Sequence, residues 1–336
     1  MAFGKMKLND FLTEWRSESE TVELFTSGST GVPKRITATK RQMEASARIT
    51  CEFLNLKAGN SALLCLPLDY IAGKMMVVRS EVAGLNIISV EPDGHPLKNI
   101  DVHVDFAAMV PLQVYNSLLV PEEKEKLMNV RQLIIGGSPV SDDMALELKC
   151  FPNGVWSTYG MTETLSHIAL RRLSGPQASE WYSPLPGVEV YTDEMGKLII
   201  HAPAVCSKVL KTNDIAEMSP DGSNFRIVGR ADNVINSGGV KIYMEEIEKA
   251  IAPHIACPFA VTKKTDRKFG EIVVLIAKAG DRGEMAEIEK TCKDLLPEYS
   301  RPKVYIYTNN LPLTGTGKIN RMEALRIAEN YHYICK

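Results

Sequence analysis

Short apolar runs alternating with longer stretches of helical periodicity are the feature of this sequence that most narrows its fold. Runs at 22–25, 61–66, 86–90, 103–106, 132–135 and 155–158 have the length and residue types of strands. Stretches at 41–54, 73–83 and 142–149 repeat their apolar residues at helical spacing. Strand, helix and strand in succession demand crossovers, and repeated crossovers give a largely parallel sheet covered by helices. Such a sheet performs its chemistry on the loops that leave its strand ends.

From about residue 185 the texture changes to short strands at 188–191, 197–201 and 225–228, separated by Gly, Pro and Asn turns. After Gly229 and Arg230 comes a third pattern, with helices at 244–251 and 286–296 and strands at 260–262, 272–276 and 304–307. The expected fold class is therefore α/β. A large domain over 1–230, with a mostly parallel helix-covered sheet and a small β-rich subdomain over about 185–230, is followed by a small mobile α+β domain over 231–336. A chain of 336 residues can bury a core in each of two such units.

Charge narrows the partners. Lysine and arginine number 39 against 41 aspartates and glutamates, a formal net charge of −2, with 24% charged and 45% hydrophobic residues. This near-neutral balance argues against a dedicated nucleic-acid binder and against a disordered polyampholyte. No stretch has the roughly 20 apolar residues of a membrane span, and residues 1–10 lack an apolar signal core, so a cytoplasmic protein without stable membrane insertion is expected. The seven cysteines are scattered without paired two-residue spacing and read as reduced packing thiols. The six histidines form no local metal pattern and read as surface or packing residues.

Five segments carry the chemistry. Thr26-Ser27-Gly28-Ser29-Thr30-Gly31-Val32-Pro33-Lys34 follows a strand-like run and interleaves hydroxyls with glycines, so side-chain donors and close backbone N–H groups can surround phosphate oxygens, with Lys34 adding positive charge. It lacks the Gly-Lys-Ser/Thr ending of a Walker loop, and a surface turn is the alternative. Ser157-Thr158-Tyr159-Gly160-Met161-Thr162-Glu163-Thr164 offers an aromatic face at Tyr159, a phosphate donor at Thr162 and a hard oxygen for Mg²⁺ at Glu163; a capped helix start is the alternative. Asp214, in Thr212-Asn213-Asp214, can accept from two ribose hydroxyls, and Arg230, in Gly229-Arg230-Ala231-Asp232, can donate to the same sugar or to phosphate. Either could equally be a solvated or structurally paired charge. Last, Leu311-Pro312-Leu313-Thr314-Gly315-Thr316-Gly317-Lys318-Ile319-Asn320-Arg321 is a glycine-bearing loop able to deliver the Lys318 ammonium to developing negative charge, or simply a turn with an exposed lysine.

These five segments, in this order from about Thr21 to Arg321, resemble the adenylate-forming superfamily of acyl-CoA synthetases, firefly luciferases and peptide-synthetase adenylation domains. Within it the chain looks most like the o-succinylbenzoate–CoA ligases of menaquinone biosynthesis, on its overall compactness and on Leu66-Pro67-Leu68-Asp69-Tyr70-Ile71-Ala72-Gly73-Lys74 followed by Arg79. The resemblance implies two half-reactions: ATP-dependent activation of a carboxylic acid to an acyl-adenylate, with Mg²⁺, and then thioester formation with coenzyme A. It assigns Thr26, Ser27, Gly28, Ser29, Thr30, Gly31 and Lys34 to the phosphates, and Thr162 to the α-phosphate. Glu163 is assigned to the metal, and Gly136, Gly137, Ser138 and Pro139 with Tyr159 to adenine. Asp214 and Arg230 are assigned to ribose, Lys318 to the reacting carboxylate and α-phosphate, Asp232 to the interdomain hinge, and Ser237, Gly238 and Gly239, with Val240 and Lys241, to the coenzyme A side.

Arg79 sits among Met75, Met76, Val77 and Val78 on the 73–83 helix, which suggests an ion pair with something buried. The distal carboxylate of a dicarboxylic substrate, Glu81, Asp69 and solvent all remain open as partners, with Lys74 a secondary candidate for the substrate. Several positions depart from the superfamily pattern. Asn213 stands where glycine is usual, Asn233 where a second aspartate is common, Asn236 where lysine is frequent and Tyr70 where many relatives have histidine. Only 25 residues precede Thr26, against a substantial N-terminal subdomain in relatives, so its packing surface must meet a shorter element, another subunit or solvent; a homodimer is the expected cover. Two other readings stay open: activation of another aryl or fatty acid, including transfer to a carrier protein, and a nucleotide-binding protein that has lost catalysis. A hydrolase and a dinucleotide dehydrogenase are disfavoured, because neither Gly-x-Ser-x-Gly nor Gly-x-Gly-x-x-Gly after a strand is present.

Overall fold

The computed structural model describes residues 6–25, 35–313 and 319–331. The chain divides into two compact units, Met1–Tyr191 with Ile199–Lys211 and Met218–Arg226, and Thr192–Leu198 with Thr212–Glu217 and Ile227–Lys336. Helix α1 (Leu8–Arg16) is followed by β1 (Thr21–Phe25), β2 (Arg35–Thr39), α2 (Lys40–Phe53), β3 (Ser61–Leu64), α3 (Ile71–Ala83) and β4 (Asn86–Ser89). The first unit continues with β5 (Phe106–Met109), α4 (Pro111–Leu119), α5 (Pro121–Asn129), β6 (Gln132–Ile135), α6 (Asp142–Leu148), β7 (Gly154–Gly160), β8 (His167–Arg172) and β9 (Ser183–Pro184).

Seven of these strands form one sheet in the order β4-β3-β5-β6-β7-β8-β9. Pairing is parallel from β4 to β7 and antiparallel from β7 to β9. The expected α/β architecture is thus present. One expected member is elsewhere: β1 pairs antiparallel with β2 in a separate two-stranded sheet, from Thr21↔Thr39 to Phe25↔Arg35. The run at 103–106 also shifts, because Ser61 holds its start. The Ser61 hydroxyl donates to the His103 carbonyl (2.8 Å) and accepts from Asp105 N–H (2.9 Å), so the strand begins only at Phe106.

The helices follow from their sequences. Thr39 accepts from Gln42 N–H (3.2 Å) and the Gln42 side chain accepts from Thr39 N–H (3.3 Å), a reciprocal cap that starts α2. Met43, Ser46, Ala47, Thr50 and Cys51 then fall on one buried face. Helix α3 is instead buried all round from Gly73 to Ser80, Lys74 and Arg79 included, and stops at Gly84 with φ +66°. The segment ahead of residue 26 supplies a cover for it: α1 buries Phe11 and Trp15, and Arg16 makes a two-pronged ion pair with Glu81 of α3, both bonds 2.9 Å.

Strands β10 (Glu189–Thr192), β11 (Lys197–His201), β12 (Leu210–Met218) and β13 (Phe225–Arg230) form a four-stranded sheet in that order. The second unit continues with β14 (Val234–Ser237), β15 (Val240–Tyr243), α7 (Met244–Ile251), β16 (Phe259–Asp266), β17 (Gly270–Ala277), α8 (Arg282–Leu295), β18 (Val304–Tyr307) and α9 (Arg321–Asn330). Its five-stranded sheet has the order β15-β14-β17-β16, with β18 parallel to β17. Among the described residues, no helix is long and apolar enough to cross a membrane.

Gly73 marks the tightest approach around α3, since a Cβ there would lie 2.3 Å from the Pro67 carbonyl oxygen and 2.9 Å from that of Leu66. Backbone cannot yield as a side chain does, so Gly73→Ala is expected to lower the unfolding free energy by about 1–3 kcal/mol. Urea denaturation of the variant measures this, and an unchanged midpoint would show that the loop before α3 relaxes at no cost.

Candidate active site

Parallel pairing brings two of the sequence segments together. Ile135 at the end of β6 is in register with Ser157 of β7, so Gly136 emerges beside Thr158 and the chain that follows lies next to Tyr159. A Cβ on Gly136 would stand 2.3 Å from the Thr158 hydroxyl oxygen, and Gly137 has φ +86°, so both positions suit glycine for separate reasons. Ser138 is half-buried and Pro139 exposed. Tyr159 is half-buried and sets its ring edge-on to Phe225 at 5.2 Å, with Tyr182 at 5.9 Å. Tyr182 is fixed in turn by a 2.9 Å hydrogen bond between its hydroxyl and that of Ser157. A braced aromatic surface beside a glycine edge is suited to a flat base.

Beyond Tyr159 the chain turns sharply into β8. Gly160 is pressed against this return, since a Cβ would lie 2.3 Å from the Ser166 carbonyl oxygen. Thr162–Thr164 form a single 3₁₀ turn, followed by Leu165 at φ +64°, a conformation that costs a non-glycine residue energy. The Thr164 hydroxyl over-determines the turn by accepting from Met161 N–H (3.0 Å) and donating to the Ser166 carbonyl (2.7 Å). Thr162 is half-buried at its edge, where its carbonyl accepts from Leu165 N–H (2.9 Å), and Glu163 is exposed. One outward carboxylate fits Mg²⁺, which takes few protein oxygens and completes its shell with water and substrate phosphates. No group of three or more His, Cys, Asp or Glu among the described residues forms a metal cage.

Helix α3 carries two buried cations with different surroundings. Lys74, 4% exposed, places Nζ 3.7 Å from a Glu14 oxygen and 4.9 Å from the Phe11 ring centre and donates to the Glu23 carbonyl (3.4 Å). Arg79, 2% exposed, pairs with neither Glu81 nor Asp69. Glu81 is taken by Arg16, Asp69 accepts from Met6 N–H (3.4 Å), and Arg79 donates from Nη2 to the Ser166 hydroxyl while its buried Nε has no partner among the described residues. Burial lowers its pKa to about 10. Ser166 and His167 had no motif to single them out: a serine and a histidine after a phosphate-type turn look like ordinary strand entry. His167 is buried, with Nδ1 3.3 Å from the Ser166 hydroxyl and Nε2 3.1 Å from that of Thr50.

In the second unit Arg230 donates to Asp214 at 2.8 Å and to Asp232 at 3.5 Å, and Asn213 donates to Asp232 at 3.2 Å. Asp214 is shielded with its side chain 14% exposed, whereas Arg230 and Asp232 are open at 48% and 62%. Ala231–Asn233 make one 3₁₀ turn. Ser237 pairs with Val240 across a two-residue hairpin turn in which Gly238 and Gly239 have φ +59° and +85°. Thr26, Ser27, Gly28, Ser29, Thr30, Gly31 and Lys34 lie outside the described residues, as does Lys318. The base of the Lys318 loop is described: Leu313 bridges Ile319, Asn320 N–H donates to the Pro312 carbonyl (2.9 Å), and Arg321 forms a two-pronged pair with Glu248 at 2.7 and 2.6 Å.

The family described as AMP-binding enzyme matches residues 12–203, more than half of the sequence. The chain belongs to the AMP-binding enzyme family. A solved AMP-forming acyl-CoA synthetase/AMP-acid ligase II-like protein from Dyadobacter fermentans is 36% identical, with a TM-score of 0.64, 95% of this chain covered and 93% of that one. The 2-succinylbenzoate–CoA ligase of Listeria monocytogenes is 27% identical over 93% of this chain and 71% of its own length. The o-succinylbenzoate CoA synthetase of Bacillus subtilis, solved with its acyl-adenylate intermediate, shares the fold with a TM-score of 0.76 at 22% identity, over 90% of this chain and 68% of that one. Family membership thus agrees with the resemblance read from the five segments.

Burial and the nearby Arg79 charge hold the His167 pKa well below its ordinary 6.5. The unfolded chain takes up that proton near pH 6.5 and the folded chain does not, so His167 contributes stability above about pH 6.5 that is lost as pH falls toward its folded value. His167→Gln is expected to lose less stability than the natural protein between about pH 7.5 and pH 5.5. Urea midpoints at the two pH values measure the difference, and equal losses would mean that the folded protein accommodates an imidazolium.

Proposed function

We propose that this chain is an AMP-forming acid–CoA ligase acting on a carboxylic acid that carries a second carboxylate, with 2-succinylbenzoate the first candidate. The observation that supports this substrate class is Arg79, a buried guanidinium facing hydroxyl and imidazole groups and no carboxylate among the described residues. Leaving a buried charge uncompensated costs several kcal/mol, and a distal substrate carboxylate would offset it. The Listeria relative's name points to the same acid.

In the first half-reaction a carboxylate oxygen of the acid attacks the α-phosphorus of ATP, forming the acyl-adenylate and releasing pyrophosphate. The coenzyme A thiolate then attacks the acyl carbon and AMP leaves. Both steps need alignment and charge neutralisation more than proton transfer. On this reading Thr26, Ser27, Ser29, Thr30 and Lys34 hold the β- and γ-phosphates, and Thr162 donates to the α-phosphate. Glu163 is the carboxylate for Mg²⁺, which when bound neutralises phosphate charge. Gly136 to Pro139 and Tyr159 receive adenine, Asp214 and Arg230 the ribose, and Lys318 the reacting carboxylate. Asp232 is the proposed hinge between the large domain and the C-terminal one, and the Ser237 to Lys241 hairpin the coenzyme A side. A cytoplasmic location would supply both co-substrates.

Pyrophosphate release with 2-succinylbenzoate, benzoate and a fatty acid, each with and without coenzyme A, tests the reading. Release should be strongest with the diacid, and thioester should form only with coenzyme A; release independent of any acid would overturn it. Lys318→Ala is expected to slow adenylation about 10²–10³-fold while sparing thioester formation from supplied acyl-adenylate. Unchanged pyrophosphate exchange in that variant would remove Lys318 from the mechanism.

A further inference from the structure

The groups behind Arg79 form a chain of hydrogen bonds to which the donors at its two ends assign one direction. Arg79 can only donate, so the Ser166 oxygen accepts from Nη2 and the Ser166 proton is left for another acceptor. His167 Nδ1, at 3.3 Å, is that acceptor. At the far end the Thr50 hydroxyl donates to the Ser46 carbonyl (3.0 Å), so its oxygen is left to accept from His167 Nε2 at 3.1 Å. This assignment makes the imidazole neutral with its proton on Nε2. An imidazolium would carry a proton on Nδ1, turn the Ser166 hydroxyl away and place a second charge beside the buried guanidinium.

We infer that His167 is a positioning residue for recognition of the acid's second carboxylate: through Ser166 it fixes the plane of the Arg79 guanidinium. The inference rests on the proposed role of Arg79. His167 has no part in phosphate or coenzyme A chemistry, so its effect is confined to how well the anionic end of the acid is bound. Arginine presents its donors in a rigid fork, and tilting that fork loses the paired geometry that distinguishes a carboxylate from a neutral group.

Steady-state pyrophosphate release tests this with 2-succinylbenzoate and with 4-oxo-4-phenylbutanoate, the analogue that keeps the succinyl carboxylate and lacks the ring carboxylate. His167→Phe should raise KM for the diacid about tenfold, the scale of one charge-assisted hydrogen bond, with kcat nearly unchanged and KM for the analogue unmoved. His167→Gln, which can accept toward Ser166 and donate toward Thr50, should recover most of the loss. Ser166→Ala breaks the same chain with a smaller change of volume and should reproduce the diacid-specific effect if His167→Phe does not fold. An unchanged diacid KM in folded His167→Phe or Ser166→Ala, or an equal rise for both acids, overturns the inference. The ¹⁵N spectrum of the histidine side chains, assigned by its loss in His167→Gln, gives a readout that needs no substrate. A neutral Nε2–H imidazole at about pH 6 is expected, and an Nδ1–H tautomer or an imidazolium overturns the relay. If the natural protein releases no pyrophosphate with any acid while that tautomer is present, the functional reading fails and the positioning of Arg79 must serve something other than acid activation, which ends the inference as stated.

Discussion

Parallel pairing of β6 with β7 is the constraint from which the candidate site follows. Parallel neighbours send their carboxyl ends to the same edge, so Gly136 and Thr158, far apart in sequence, emerge side by side. The sheet then reverses: β8 runs antiparallel to β7, and the chain must return within the short turn after Gly160. That reversal accounts for the glycine pressed against the returning backbone and for Leu165 at positive φ. Strain is concentrated where the phosphate-type segment must present Thr162 and Glu163, and the Thr164 hydroxyl holds it there.

The parts of the fold that could be read from the sequence are those whose periodicity is local. Strands at 132–135, 197–201 and 304–307 and the helix at 244–251 lie where apolar spacing puts them. Membership of a sheet is not local, and β1 shows why: Val22 and Leu24 alternate like any half-buried strand, yet their partner is β2 and not the parallel sheet. Helices α4 and α5 begin at Pro111 and Pro121, and a proline reads more readily as a loop than as the first turn of a helix. For the site, glycine and hydroxyl clusters announce themselves in sequence. Ser166, His167 and Thr50 do not, because their role comes from an arrangement that joins α2, α3 and the start of β8.

Two departures from the superfamily pattern have local partners in the second unit. Asn213 donates to Asp232, a bond that glycine could not make. Asn233 donates to Glu245, which is half-buried, with its pKa shifted upward by that burial and one oxygen lacking a partner among the described residues. An aspartate at 233 would set carboxylate against carboxylate in a site already costly for one. The amide and Glu245 are therefore best understood as a matched pair.

Lys74 and Arg79 show how one helix can treat two buried cations differently. They are five residues apart, so their side chains leave α3 about 140° from one another at roughly 100° per residue. Lys74 meets α1, where Glu14 and the Phe11 face offset part of its burial; burial lowers its pKa and Glu14 opposes that shift. That arrangement is complete within the protein and stabilises the packing of α1 on α3. Arg79 meets a serine hydroxyl on the other side, and its low-dielectric surroundings make any anion that reaches it strongly bound. A carboxylate supplied by the protein would have made that side as self-sufficient as the Lys74 side and left it inert toward ligands. Serine and neutral histidine orient the guanidinium without cancelling its charge, which is the condition under which a buried arginine can discriminate between a dicarboxylic acid and a monocarboxylic one.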